Sequence, residues 1–159
     1  MKLFVALFLV CGIGFANSLE IAVSLSPAGS FVAKSEQVEI EGELKTGNGA
    51  FKARNIAMDI NSLTSGIELR DEHMKKKYFE IKKFPKAILS EAQGSGGKFK
   101  GKLVVHGVSH LITGEYEMAD GSLEAKFKCK LSDFKISEAK YMGVGVEDEV
   151  AVSVKLQGN

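Results

Sequence analysis

From residue 19 onward, apolar and polar residues alternate with a period of two. Leu19, Ile21, Val23 and Leu25 share one face of the first run. Val38, Ile40, Gly42 and Leu44 share a face opposite Glu39, Glu41 and Glu43. Ile56, Met58 and Ile60 fall together, and Phe99, Gly101, Leu103 and Val105 stand against Lys98, Lys100 and Lys102. Leu123, Ala125, Phe127, Cys129 and Leu131 oppose Glu124, Lys126, Lys128 and Lys130, and Val150, Val152, Val154 and Leu156 close the chain. Such runs predict antiparallel strands with one apolar and one solvated face. Residues 45–49, 94–97 and 120–121 hold the Gly, Asn and Asp that turns with positive φ require, so hairpins are expected through Gly94–Gly97 and Asp120-Gly121.

One segment departs from this period. Ser65 and Glu68 stand in the S-x-x-E arrangement of a capping box, predicting a helix through about residue 78. Ile67, Met74 and Tyr78 then share one helical face, and a strand resumes over FEIKKFPKAIL. The prediction is an all-β, single-domain fold: about eight or nine antiparallel strands with one inserted short helix. The alternation by itself fits a closed barrel or a sandwich, and a barrel of about eight strands can hold one small ligand.

The 159 residues suffice for one core, and seventeen glycines against two prolines suit a chain rich in tight turns. The N-terminus reads as a cleaved export signal: Lys2 precedes an apolar run too short to span a bilayer, and small residues follow. Gly14 and Ala16 suit a cut before Asn17, and Ala16 and Ser18 suit one before Leu19; the domains are taken as 1–18 and 19–159. Export implies the periplasm or beyond. Cys11 leaves with the signal, so Cys129 has no intramolecular partner and is expected to act as a small buried hydrophobe. Removing Lys2 from the 21 basic residues leaves 20 against 20 acidic ones. Without a basic excess, nucleic-acid binding lacks its usual electrostatic basis.

No pattern carries catalytic chemistry clearly. There is no G-x-S-x-G, and His106 and His110, four apart in a strand-like context, would stand about 13 Å apart, too far for one zinc. Neither a metal nor a cofactor is expected. Asp71, Glu72 and His73 are acid–base candidates, but a solvated helix face with Arg70 and Asp71 tied to adjoining loops accounts for them as well. Lys75, Lys76, Lys77, Lys82, Lys83 and Lys86 form a cluster that fits a solvated face or a transient membrane contact.

Three blocks at suitable spacing resemble the YceI-like, polyisoprenoid-binding family of periplasmic proteins. They are NSLTSGIELRDEHMKKKYFEIKKFPKAIL, GKLVVHGVSHLITGEYE and SDFKISEAKYMGVGVEDEVAVSVKL. Lys135 stands where the family often has glycine in D-F-G-I, and the segment around residues 26–30 matches poorly. The resemblance implies an extended, lipocalin-like antiparallel β-barrel enclosing a long-chain lipid, an isoprenoid quinone-like compound or a fatty-acid derivative. The absence of tryptophan disfavours true lipocalins, which usually carry G-x-W.

The expected function is therefore non-catalytic binding, with transport or storage. The candidate lining residues are Val38, Ile40, Ile56, Met58, Ile60, Ile67, Met74, Tyr78, Phe99, Leu103, Phe127 and Leu131. A chain of about 16 carbons gains about 12 kcal/mol gross on burial, against at least about 4 kcal/mol of association cost. The same residues could instead fill a solid core. An enzyme using the Arg70–His73 region and a protein-interaction module are the competing functions. The pattern does not set the oligomeric state and is compatible with a dimer.

Overall fold

The computed structural model describes residues 16–136, 140, 141 and 143–158. The expected signal segment lies largely outside the described residues. Among the described residues, eleven strands form one antiparallel sheet. In chain order these are β1 (Ser18–Ser26), β2 (Ser30–Ser35), β3 (Val38–Gly47), β4 (Ala50–Asp59), β5 (Lys86–Ser95), β6 (Lys98–Val105), β7 (Val108–Ala119), β8 (Ser122–Lys130), β9 (Lys140–Tyr141), β10 (Val144–Val146) and β11 (Glu149–Gln157). An α-helix, α1 (Glu68–His73), runs directly into a π-helical turn at Met74–Tyr78. No helix among the described residues is long and apolar enough to cross a membrane.

Strands β3 to β8 pair as a meander, β11 joins β8, and β1 joins β11, with β2 and β10 both on β1. The sheet curls into a barrel because bulges bend it. Ile40 pairs with Ile56 but Glu43 pairs with Arg54, and Leu89 pairs with Leu103 but Glu91 with Lys102. Between β2 and β3 the barrel has a seam without a ladder. Local bonds span it: a Lys34–Thr64 bridge, a Ser35–Ser62 hydroxyl contact, and Asn17 Nδ2 donating to the Val38 carbonyl at 3.1 Å.

Four two-residue hairpin turns carry positive φ at both positions, as type I′ turns require: Asn48-Gly49, Gly96-Gly97, His106-Gly107 and Asp120-Gly121. The third corrects the strand-like placement of His106. The turn takes the imidazole off the sheet, because Val105 pairs directly with Val108. The helix also starts differently from expectation. Ile67 is its extended N-cap, and no side chain caps it. Ser65 instead turns its hydroxyl to the Asp71 carboxylate, so the capping box does not form. Strand β5 begins only at Lys86; residues 79–85 are turns and irregular backbone.

The core is uneven along the barrel. Toward the hairpin ends of β3–β8 it is solid: Phe51, Ala53, Ala92, Phe99, Ile112, Tyr116, Leu123 and Leu156 are buried there. Across the sheet the pairing runs Phe51, Gly94, Phe99, Gly114, Phe127, Val152. Each glycine makes room for its neighbours' rings. A Cβ on Gly94 would lie 2.3 Å from Phe51 Cε1, and one on Gly114 would lie 2.7 Å from Phe99 Cε1. Phe51–Phe99 and Phe99–Phe127 ring centres stand 6.1 and 6.2 Å apart, and the Tyr116 ring meets Phe51 edge-on at 4.8 Å.

Candidate functional site

At the opposite end the barrel is hollow. The strands there carry Leu19, Ile21 and Val23 on β1 and Val150 and Val152 on β11, which form one aliphatic wall along two paired strands. They line a cavity of about 450 Å³. The segment that follows β4 covers it, inserting Met74, Tyr78 and Phe79, and the 3₁₀ turn Leu131–Phe134 closes it from the side. A second space of only about 70 Å³ lies deeper, against Val38, Phe51, Ile56 and Phe99. The sequence allowed a lumen or a solid core, and each is present in its own half of the barrel.

The covering segment is held by polar contacts around Asp71, which is 7% exposed. Its carboxylate accepts from the Ser65 backbone N–H at 2.9 Å, from the Ser65 hydroxyl, and from Thr64 Oγ1 at 3.0 Å. A buried carboxylate needs such donors, since each unmade bond leaves a desolvation cost. Arg70 reaches the same loop, its Nε donating to Ser65 Oγ at 2.8 Å, while its guanidinium carbon sits 3.9 Å above the Phe31 ring centre. Tyr78 ties the segment to β9: its hydroxyl donates to the Lys140 carbonyl at 3.0 Å and accepts from the Lys140 N–H at 2.9 Å.

Beneath the segment, His106 Nε2 meets Glu80 Oε2 at 2.6 Å and Nδ1 meets the Phe134 carbonyl at 3.1 Å. Both partners are oxygen acceptors, one a carboxylate and one a backbone carbonyl. The His106 contact, followed by Lys83, holds the Glu80 carboxyl below its ordinary value. His110 is engaged elsewhere, with Asp133 at 3.3 Å. Among the described residues, no cluster of His, Cys, Asp and Glu is arranged to hold a metal.

The polar groups of the cavity come mainly from the covering segment and β9. Arg70, His73, Tyr78 and Lys140 contribute to the lining, and the His73 and Tyr78 rings meet edge-on at 5.4 Å. Nearly everything else in the lining is hydrocarbon. Cys129 is half-buried in the wall, and burial, reinforced by the nearby carboxylates, pushes its thiol up to about 11.

The candidate residues distribute as follows. Met58, Ile60, Met74, Tyr78, Leu103, Phe127 and Leu131 line the large cavity. Val38, Ile56 and Phe99 border the small deep space instead. Ile40 is half-buried against the main core and lines neither space. Ile67 is 52% exposed, so it does not share an inward face with Met74 and Tyr78. The reason is local: the helix begins after Ile67, and the π turn changes the angular spacing beyond Met74. The sequence reading missed the contributions of β1, β11, Phe31 and Ala33 on β2, and Phe134 and Ile136. The alternation placed the β1 and β11 residues inside but gave no sign of which end is hollow; Phe134 and Ile136 belong to the D-F-x-I block and could have been chosen from it.

A family model described as a YceI-like domain matches residues 13–158. The chain belongs to the YceI-like domain family. Solved structures agree on the fold. BcnA of Burkholderia cenocepacia superposes with a TM-score of 0.69 at 16% identity, over 90% of this chain and 96% of that one. A polyisoprenoid binding domain from Saccharophagus degradans gives 0.60 at 13% identity, over 90% and 94%. The YCEI protein of Campylobacter jejuni gives 0.54 at 16% identity, over 77% and 83%. No curated protein matches the chain.

Proposed function

We propose that this YceI-like protein binds one single-chain amphiphile in its barrel, without catalysis, and carries or stores it in the periplasm. The cavity is the observation that carries the reading: about 450 Å³ walled by aliphatic and aromatic side chains, with its cationic and hydroxyl groups drawn from the covering segment and β9. That polarity suits an isoprenoid or acyl tail inside and an acceptor-rich headgroup near Arg70 and Lys140. The fold likeness to a polyisoprenoid binding domain points to the same ligand class.

The lysine cluster lies on and beside the covering segment. Lys83 and Lys86 are paired with Glu80 and Glu41, while Lys76, Lys77 and Lys82 are exposed. This supports transient contact with an anionic membrane surface during loading. Export is in keeping with the apolar N-terminal run, and Asn17 supports a cut on its N-terminal side. Its side chain bonds both the Val38 carbonyl and the Gln157 N–H, at 3.1 and 2.8 Å, and would be lost by cleavage before Leu19.

Native mass spectrometry of protein exported and purified from the periplasm tests the reading. A co-purifying apolar adduct, replaced after delipidation by added palmitic acid or farnesol, is the expected result. A clean apo mass with no uptake of either probe overturns it.

A further inference from the structure

The barrel sets a limit on chain length. Leu19, Met58, Ala87, Leu103 and Phe127 border both the large cavity and the small space beneath it, forming a floor between them. Below that floor the Phe51, Phe99 and Tyr116 rings fill the barrel's width, with Gly94 and Gly114 recessed to admit them. The tunnel therefore ends partway along the barrel.

A methylene takes about the same liquid volume as a water molecule, about 30 Å³. A cavity of about 450 Å³ then holds about 15 methylene-sized groups. We infer that the protein selects tails of about 15 carbons, an acyl chain of that length or about three isoprene units, and that the floor excludes the remainder of a longer polyprenyl tail. This inference rests on the carrier reading and adds the size of the cargo.

The test is a dissociation-constant series on the delipidated mature protein, using saturated fatty acids from ten to twenty-two carbons together with farnesol and longer prenols. Affinity should tighten about fourfold per methylene while the tail is still filling the cavity. It should stop tightening near fourteen to sixteen carbons. Affinity still climbing to twenty-two carbons, or long prenols binding more tightly than farnesol, overturns the length limit while leaving the carrier reading intact. No binding at any length overturns the carrier reading itself.

Two variants probe the floor from opposite sides. Phe127→Ala joins the deeper space of about 70 Å³ to the cavity and should move the break at least about two carbons upward. Ala87→Leu raises the floor and should move it downward. Circular dichroism confirms the fold of each. A folded variant whose break stays at the wild-type length overturns the assignment of the floor, and Ala87→Leu suffices if Phe127→Ala does not fold.

Discussion

Replacing Gly114 by alanine puts one methyl group where the barrel has no room for it. The added Cβ would lie 2.2 Å from the Lys126 carbonyl oxygen on β8, 2.7 Å from Phe99 Cε1 and 2.9 Å from Phe127 Cβ. Ordinary carbon–oxygen contact is about 3.3 Å, so β7 and β8 must part by about 1.1 Å (3.3 minus 2.2), or the ladder must break locally. A flexible side chain could swing aside; a strand backbone cannot. Overpacking of this kind costs about 1–3 kcal/mol, and each ladder bond lost adds about 1 kcal/mol. Relief of glycine's unfolded-state entropy returns about 0.5–1 kcal/mol. With one ladder bond lost, the net expectation is a loss of about 1–3 kcal/mol. Gly47→Ala is the control, because nothing lies within 4 Å of its added Cβ. Urea unfolding followed by far-ultraviolet circular dichroism reads the difference, since the chain has no tryptophan. With a slope of about 2 kcal/mol per molar, the Gly114→Ala midpoint should fall by about 0.5–1.5 M, while the Gly47→Ala midpoint should hold or rise slightly. Equal midpoints for the two variants would refute the claim that recessed glycines make room for the aromatic floor.

Three further outcomes follow from particular contacts. Lys135 holds φ 56°, ψ 28° at the end of the Leu131–Phe134 turn, where glycine is free of Cβ strain, so Lys135→Gly should raise stability by about 1 kcal/mol in the same urea assay. Cys129, with its thiol pushed up to about 11 by burial, should alkylate far more slowly with iodoacetamide at pH 8 in the native protein than in urea, and bound fatty acid should slow it further; native and denatured rates that coincide would refute its place in the wall. The Glu80 carboxyl is held below its ordinary 4.5 by His106 and then Lys83, and Asp148 below 3.8 by the Ser132 hydroxyl and N–H. Lowered carboxyl values mean that their stabilisation is complete above those ordinary values and is lost as pH falls through the lowered ones. The Tm difference between wild type and Glu80→Gln should therefore be constant above about pH 5 and shrink as pH falls below 4.5; a gap that instead widens on acidification would contradict the pairing.

Much of this fold was legible along the chain. Period-two alternation is a local consequence of the pleat, so the inward faces of β1, β3, β6, β8 and β11 could be assigned without knowing their partners. Gly at the second position of a hairpin turn is likewise a local signal, although His at the first position hid the turn at His106-Gly107, a site usually held by Asn, Asp or Gly. The helix start could not be read so directly. Ser65 and Glu68 have the spacing of a cap, but Asp71, buried and in need of donors, takes the serine hydroxyl instead.

What only tertiary structure decided is where the barrel is full and where it is hollow. Inward Phe99 and Phe127 and inward Val150 and Val152 look alike as apolar positions on alternating strands. Register sets Phe51, Phe99 and Phe127 in one row with Gly94 and Gly114 between them, so the rings converge and fill that level. Leu19, Ile21, Val23 and Val150, on the neighbouring strands β1 and β11, instead form an aliphatic wall of the cavity. Burial is a property of single positions and shows in their alternation, whereas leftover volume depends on which side chains from distant strands share one level, and that is fixed only when the strands pair.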